Sequence, residues 1–244
     1  MHKSELAAPL ALSYSSGMTY DLYIGDRLFS SWSLRGWLML EAFGLAHRIH
    51  LTGLYSGTFA EDLAPLAPAR LVPVLKTPAG EVIGESLAIA ETLAERHPTV
   101  GMWPQDPVLR ARARWLCAEM ASGYSDLRQD CPMQLLEVQT GFQASRAVQQ
   151  DIARIEEIWQ SARELVHGQQ EWILGDYSLA DVFYTPVATR IIGYDLEVSA
   201  EARAYCLRLL STPAVKHWRA KGLELTYDPF PYPTYPPQKP WPVE

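Results

Sequence analysis

The pattern of apolar and polar positions divides the chain near its middle. Before that point short strand-like and helix-like runs alternate, whereas beyond it the apolar residues recur at helical spacing. Tyr20 to Gly25 reads as a strand, Ser33 to Phe43 as a helix ending near Gly44, and Arg48 to Leu51 as a second strand. A stretch interrupted by Pro65 and Pro68 has no clear period. Val72 to Lys76 and Glu81 to Ile83 then read as two short strands joined by Thr77-Pro78-Ala79-Gly80, which has the residues of a turn. Ser86 opens a helix carried by Ala90, Leu93 and His97 and stopped by Pro98.

A βαβ unit followed by a hairpin and a helix is the thioredoxin-like arrangement, here without paired redox cysteines. It predicts an α/β domain with a mixed four-stranded sheet over residues 20–98. Residues 99–106, with Gly101, Trp103 and Asp106 among prolines, read as a linker. An all-α domain is expected over 107–227. Leu109, Ala113, Leu116, Met120, Tyr124 and Leu127 form one apolar stripe, and Val148, Ile152, Ile155, Ile158, Ala162 and Leu165 form another. Ser178-Leu179-Ala180-Asp181 has the spacing of a capping box, a structural motif. Residues 228–244 are proline-rich, with Phe230, Tyr232, Tyr235 and Trp241 interspersed, so they should be extended; wrapping the domain and lying loose are both open. Residues 1–19 are expected to be a disordered extension, with Met18 as an alternative start. Their apolar run, Leu6 to Leu12, is short, contains no A-x-A site and follows Glu5, which argues against a signal peptide.

Composition narrows the function. Of 244 residues, 48% are hydrophobic and 20% charged, enough for a sizeable core. A net charge of −7 without a concentrated Lys/Arg run argues against nucleic acid as the partner. No run reaches the roughly 18 apolar residues that suggest a membrane helix, so no membrane association is expected. Cys117, Cys131 and Cys206 are widely spaced and odd in number, which suits a reducing, cytoplasmic setting. They and His47, His50, His97, His167 and His217 show no metal-ligand spacing, so no metal is expected.

Two segments carry candidate chemistry. Ser30-Ser31-Trp32-Ser33-Leu34-Arg35 follows the first strand, and Glu85-Ser86-Leu87-Ala88-Ile89 opens a later helix. Hydroxyls at two helix N-termini form anion-friendly clusters of amide groups. With an acid beside the second, they suit a small zwitterionic thiol better than a nucleotide.

These segments, the Val72-Pro73 pair, Trp103-Pro104 and Leu174 to Asp181, taken in order, resemble a cytosolic glutathione S-transferase over about residues 20–225. Serines after the first strand are similar to the serine-type branch, and SSWSLR stands nearest the SSCSxR signature of the zeta class, which includes the maleylacetoacetate isomerases. Trp32 replaces the cysteine of that signature, which weighs against zeta-type isomerase chemistry.

The resemblance implies glutathione as co-substrate, Ser30 as thiol activator with Ser31 next, and Ser33 in a structural role. Glu85 and Ser86 would hold the γ-glutamyl group, while Val72, before a cis Pro73, would pair with the cysteinyl backbone. A small electrophile would lie between the domains, with Trp32, Tyr124 and Phe183 as candidate contacts. Arg35 is read as a structural ion pair, with contact to a glutathione carboxylate as the alternative; Arg114, Asp126 and Arg128 are read as a solvated face that could also reach the cleft or a partner subunit. The implied activity is a glutathione transferase, and family members are usually homodimers. The alternatives are a glutathione-dependent cis-trans isomerase and a non-catalytic glutathione-binding or scaffold protein.

Overall fold

A computed structural model describes residues 18–167, 170–224 and 232–243. Residues 1–17 of the expected extension over 1–19 and the first part of the proline-rich tail lie outside the described residues. The first half is a thioredoxin-like α/β unit. Strand β1 (Tyr20–Ile24) buries alternate residues, and Tyr20, Leu22 and Ile24 are fully enclosed. It runs parallel to β2 (His47–Leu51) and antiparallel to β3 (Val74–Lys76), which pairs in turn with β4 (Val82–Ile83). The sheet is therefore four-stranded and mixed, in the order β2-β1-β3-β4.

Helix α1 (Ser31–Glu41) crosses between β1 and β2 and is buried on nearly every side, from the sheet and from the helical half. That explains its weak amphipathic pattern in the sequence. Gly36 lets it approach the chain at Pro73, where a Cβ on residue 36 would stand 2.6 Å from the proline Cβ. The stretch without a clear period contains a short helix, α2 (Phe59–Leu63), running into a 3₁₀ turn at Ala64–Leu66. Asp62 organises its start by accepting from Gly53 N and Thr58 Oγ1, contacts to neighbours that apolar periodicity does not register. Helix α3 (Ser86–Arg96) completes this half, and the Tyr20 hydroxyl meets His97 Nε2 at 2.8 Å beyond its end.

Among the described residues the second half is helical, apart from one short antiparallel pair of strands remote in the chain and a single bridge between Trp172 and Gly175. The long first stripe divides into α4 (Pro107–Ser122) and α5 (Ser125–Asp130), because the chain turns at Gly123 and Tyr124 takes a left-handed conformation. The stripe still points inward: Ala113, Leu116, Met120, Tyr124 and Leu127 are all buried. Helix α6 (Arg146–Arg163) buries Val148, Ile152, Ile155, Ile158 and Ala162 as its period predicts. Helix α7 (Leu179–Gly193) is buried along its entire length and packs on α1, α4 and α8 (Ala200–Leu210). Both bonds of the expected capping box are present at its start. Asp181 also accepts from Ile173 N and the Tyr205 hydroxyl; burial nevertheless raises its carboxyl to about 6.

Helix α9 (Pro213–Leu223) returns to the first half, where Trp218 donates to the Arg27 carbonyl and stacks obliquely on Trp37. The described part of the tail is extended and wraps the molecule. Its β6 (Gln238–Pro240) pairs antiparallel with β5 (Glu137–Gln139), and Trp241 is buried beside Gly193.

Candidate active site

Local chemistry sets the first wall of the site. At the end of β1 the Asp26 carboxylate accepts from Leu28 N and Phe29 N, turning the chain so that Ser30 and Ser31 arrive at the start of α1. Ser30 is the N-cap. Its Oγ receives Ser33 N at 3.4 Å and donates to Ser33 Oγ at 2.7 Å, while Ser33 Oγ also accepts from Gly25 N. Ser33 thus fastens the strand end to the helix start.

Ser31 is held from the other half of the molecule. Arg190 on α7 donates from Nη2 to Ser31 Oγ at 3.1 Å and from Nη1 to the Pro186 carbonyl. Among the described residues, the Ser31 hydroxyl hydrogen has no protein acceptor. A second pair repeats this arrangement: Arg35 donates from Nη1 to Ser86 Oγ at 2.9 Å, and from Nη2 to the Met120 sulfur. Its guanidinium lies 4.6 Å from the centre of the Phe183 ring.

The ion-pair expectation for Arg35 does not hold. Arg35 is fully buried and has no carboxylate within ion-pair distance among the described residues; its contacts are a hydroxyl, a sulfur and aromatic faces. Burial lowers Arg35 to about 9 and Arg190 to about 10, with Arg128 pushing both down further. Both remain cationic at neutral pH. Their Nε groups are buried without a partner among the described residues.

A cleft of about 720 Å³ opens between the halves. Ser30, Ser31, Trp32, Val72, Pro73, Glu85 and Ser86, all expected at the site, lie along its lining. Val72–Pro73 is cis. Glu85 sits in a left-handed conformation, φ 59°, ahead of α3 and is exposed with no ion-pair partner among the described residues. Two expected electrophile contacts fall elsewhere. Tyr124 is buried, bonded through its hydroxyl to Glu119 and near Tyr184, and the Phe183 ring lies against the Arg35 guanidinium; neither lines the cavity. Arg114 pairs with Glu91 across α4 and α3, while Arg128 reaches the cleft and lies 5.4 Å from the Trp32 ring.

Arg190, Met133 and Tyr232 also line the cleft, and the sequence reading did not single them out for it. Arg190 lies 159 positions from its partner Ser31, and no local pattern signals that meeting. Among the described residues no three of His, Cys, Asp and Glu converge to hold a metal ion, and no helix is long and apolar enough to cross a membrane.

Residues 29–96, which contain both serine segments and the cis Val72–Pro73 bond, match the family model "Glutathione S-transferase, N-terminal domain". Maleylacetoacetate isomerase of Rattus norvegicus is 32% identical over 189 residues, covering 73% of this chain and 81% of the relative. A crystal structure of maleylacetoacetate isomerase from Anaeromyxobacter dehalogenans, with glutathione in its active site, is 26% identical with a TM-score of 0.57, covering 82% of this chain and 94% of that one. A glutathione transferase homologue from Burkholderia, also with bound glutathione, shares the fold at 22% identity and a TM-score of 0.65, covering 85% of this chain and all of the other. The chain belongs to the cytosolic glutathione S-transferase family, a family of glutathione-dependent enzymes. Its relatives place it on the side of the zeta class, to which the maleylacetoacetate isomerases belong.

Proposed function

We propose that the protein activates the thiol of glutathione for attack on a small electrophile held in the cleft between its halves. The observation that carries this reading is the pair of cleft-lining serines, Ser31 and Ser86, each backed by a buried arginine without a carboxylate. Burying a guanidinium without an opposite charge is costly, so an anionic ligand supplies what the fold omits. Each serine accepts from its arginine, which leaves its own hydroxyl hydrogen for that ligand.

In this reading the exposed Glu85 takes the α-ammonium of the γ-glutamyl group. Ser86 and the first amides of α3 take its α-carboxylate, and the Val72 backbone pairs with the cysteinyl unit. The thiol lies at the start of α1. Free thiols ionise near roughly 8.5, so little thiolate is present at neutral pH without stabilisation. Ser31 is the better placed donor to sulfur, because the Ser30 hydroxyl is bonded to Ser33 whereas Arg190 polarises Ser31 from behind. The thiolate then forms a bond to the electrophilic carbon, and a leaving group departs or a double bond takes up a proton.

A second reading is isomerisation, in which glutathione adds to a double bond, allows rotation and departs unchanged. The cations of Arg128 and Arg190 in the lining favour it, since they suit a carboxylate-bearing substrate, as does the likeness to rat maleylacetoacetate isomerase. Trp32 in the place of the zeta-class cysteine weighs against it.

Calorimetric titration of glutathione into the wild type and into Glu85→Ala/Ser86→Ala tests the binding site. Saturable binding lost in the double variant supports it, and no binding by a folded wild type overturns it. Turnover that consumes glutathione then separates transfer from isomerisation.

A further inference from the structure

The C-terminal strap does more than cover the helical half. Tyr232 lines the same cleft as Ser30, Ser31 and Arg190, although it stands 177 positions beyond Tyr55, whose hydroxyl it meets at 2.9 Å. Its ring packs against Phe29, the residue before Ser30, with centroids 5.4 Å apart. Tyr232 is thus bracketed by the segment that delivers the serines and by the loop after β2.

The residues that follow fix it there. Tyr235 N donates to Gln139 Oε1 at 2.8 Å, Gly141 N donates to the Tyr235 carbonyl, and the Tyr235 ring meets Phe142 edge to face. The β5–β6 ladder and the buried Trp241 hold the rest. Gly141 is required at this seam, because a Cβ on it would collide with the Pro236 carbonyl. The wall carrying Tyr232 is therefore anchored about the segment that also supplies Pro132 and Met133 to the cleft.

We propose that Tyr232 is a specificity-determining residue, the strap's contribution to the pocket beside the sulfur, and that it selects flat, unsaturated or aromatic electrophiles. Phe29, Trp32 and Tyr232 offer aromatic surfaces around the serines, with Met133 as an adaptable apolar neighbour. This inference rests on the glutathione reading given above. It adds a selective wall from a segment outside the two halves.

The test compares calorimetric affinities for glutathione, S-methylglutathione and S-(2,4-dinitrophenyl)glutathione in the wild type, Tyr232→Phe, Tyr232→Ala and Gly141→Ala. The wild type should prefer the dinitrophenyl over the methyl conjugate. Loss of one well-packed aromatic contact should reduce that preference about fivefold in Tyr232→Ala. Tyr232→Phe should retain most of it, and Gly141→Ala should lose it by unseating the strap without altering a cleft residue. Glutathione affinity should stay within about twofold throughout, which also reports an intact fold.

An unchanged preference in Tyr232→Ala and Gly141→Ala, with normal glutathione binding, overturns the strap inference alone. So does an equal loss of affinity for all three ligands, which would place Tyr232 against glutathione itself. Absence of glutathione binding by the wild type overturns the underlying reading, and this inference with it.

Discussion

Replacing Ser31 by alanine removes a hydroxyl that is backed by the buried Arg190 at 3.1 Å and has no protein acceptor of its own among the described residues. If that hydroxyl donates to the bound thiolate, its loss costs a hydrogen bond to a charged acceptor, about 1.5–3 kcal/mol. At about 1.4 kcal/mol per unit, the thiol pKa should rise by roughly one to two units. The direction follows because the bond favours the ionised form, so removing it raises the pKa and depletes thiolate at neutral pH. The rate at saturating glutathione should fall by about a factor of ten per unit while thiolate is the minor form. Ultraviolet thiolate absorbance of the binary complex, titrated against pH, reads the shift directly. Ser30→Ala provides the comparison. Ser30 caps α1 and is tied to Ser33, so its loss should appear mainly as about 1 kcal/mol of stability. An unchanged thiol pKa in Ser31→Ala, or a larger shift in Ser30→Ala, refutes the assignment.

Arg35→Met should separate stability from function. The guanidinium is buried without a counter-ion, so an apolar side chain of similar length should leave the melting temperature unchanged or raise it, while glutathione affinity falls about tenfold as Ser86 loses its donor; calorimetry and thermal unfolding on one sample check both. Asp181 gives a pH signature. Burial holds its folded carboxyl at about 6 against an ordinary 3.8, so the folded chain keeps a proton that the unfolded chain releases, and this group's contribution to stability falls as pH rises through that window. Denaturant unfolding across pH 4–7 should show a slope that Asp181→Asn flattens, and an equal slope in both proteins would contradict the raised carboxyl.

What the linear chain revealed was local. The strand at Tyr20, the start of α3 at Ser86 and the Ser178–Asp181 box depend on neighbours within about four positions, and each is where its pattern predicts; α1, capped by Ser30, begins at Ser31 rather than at the expected Ser33. The resemblance of SSWSLR and Glu85-Ser86 to a known family implies that both segments share one site, and both line one cleft. The stripe from Leu109 to Leu127 identified the buried face correctly, but helical spacing alone could not register the turn at Gly123 and Tyr124. Tyr124 stays on that buried face, as a support and not a contact of the cleft.

Tertiary structure decided the charges and the walls. Arg35 is expected from the sequence to form a structural ion pair because a lone arginine on a helix usually seeks an acid, and only the packing of α1 between the sheet and α7 encloses it without one. Arg190 meets Ser31 across two halves of the fold, and Tyr232 reaches Phe29 and Tyr55 on a strap whose β6 pairs with β5, about a hundred positions away in the chain. Sequence by itself determines propensity, caps and period, since these act through the adjacent backbone. Which hydroxyl is polarised and which side chain faces the sulfur are set by contacts between residues remote in the chain, and those exist only once the core has closed.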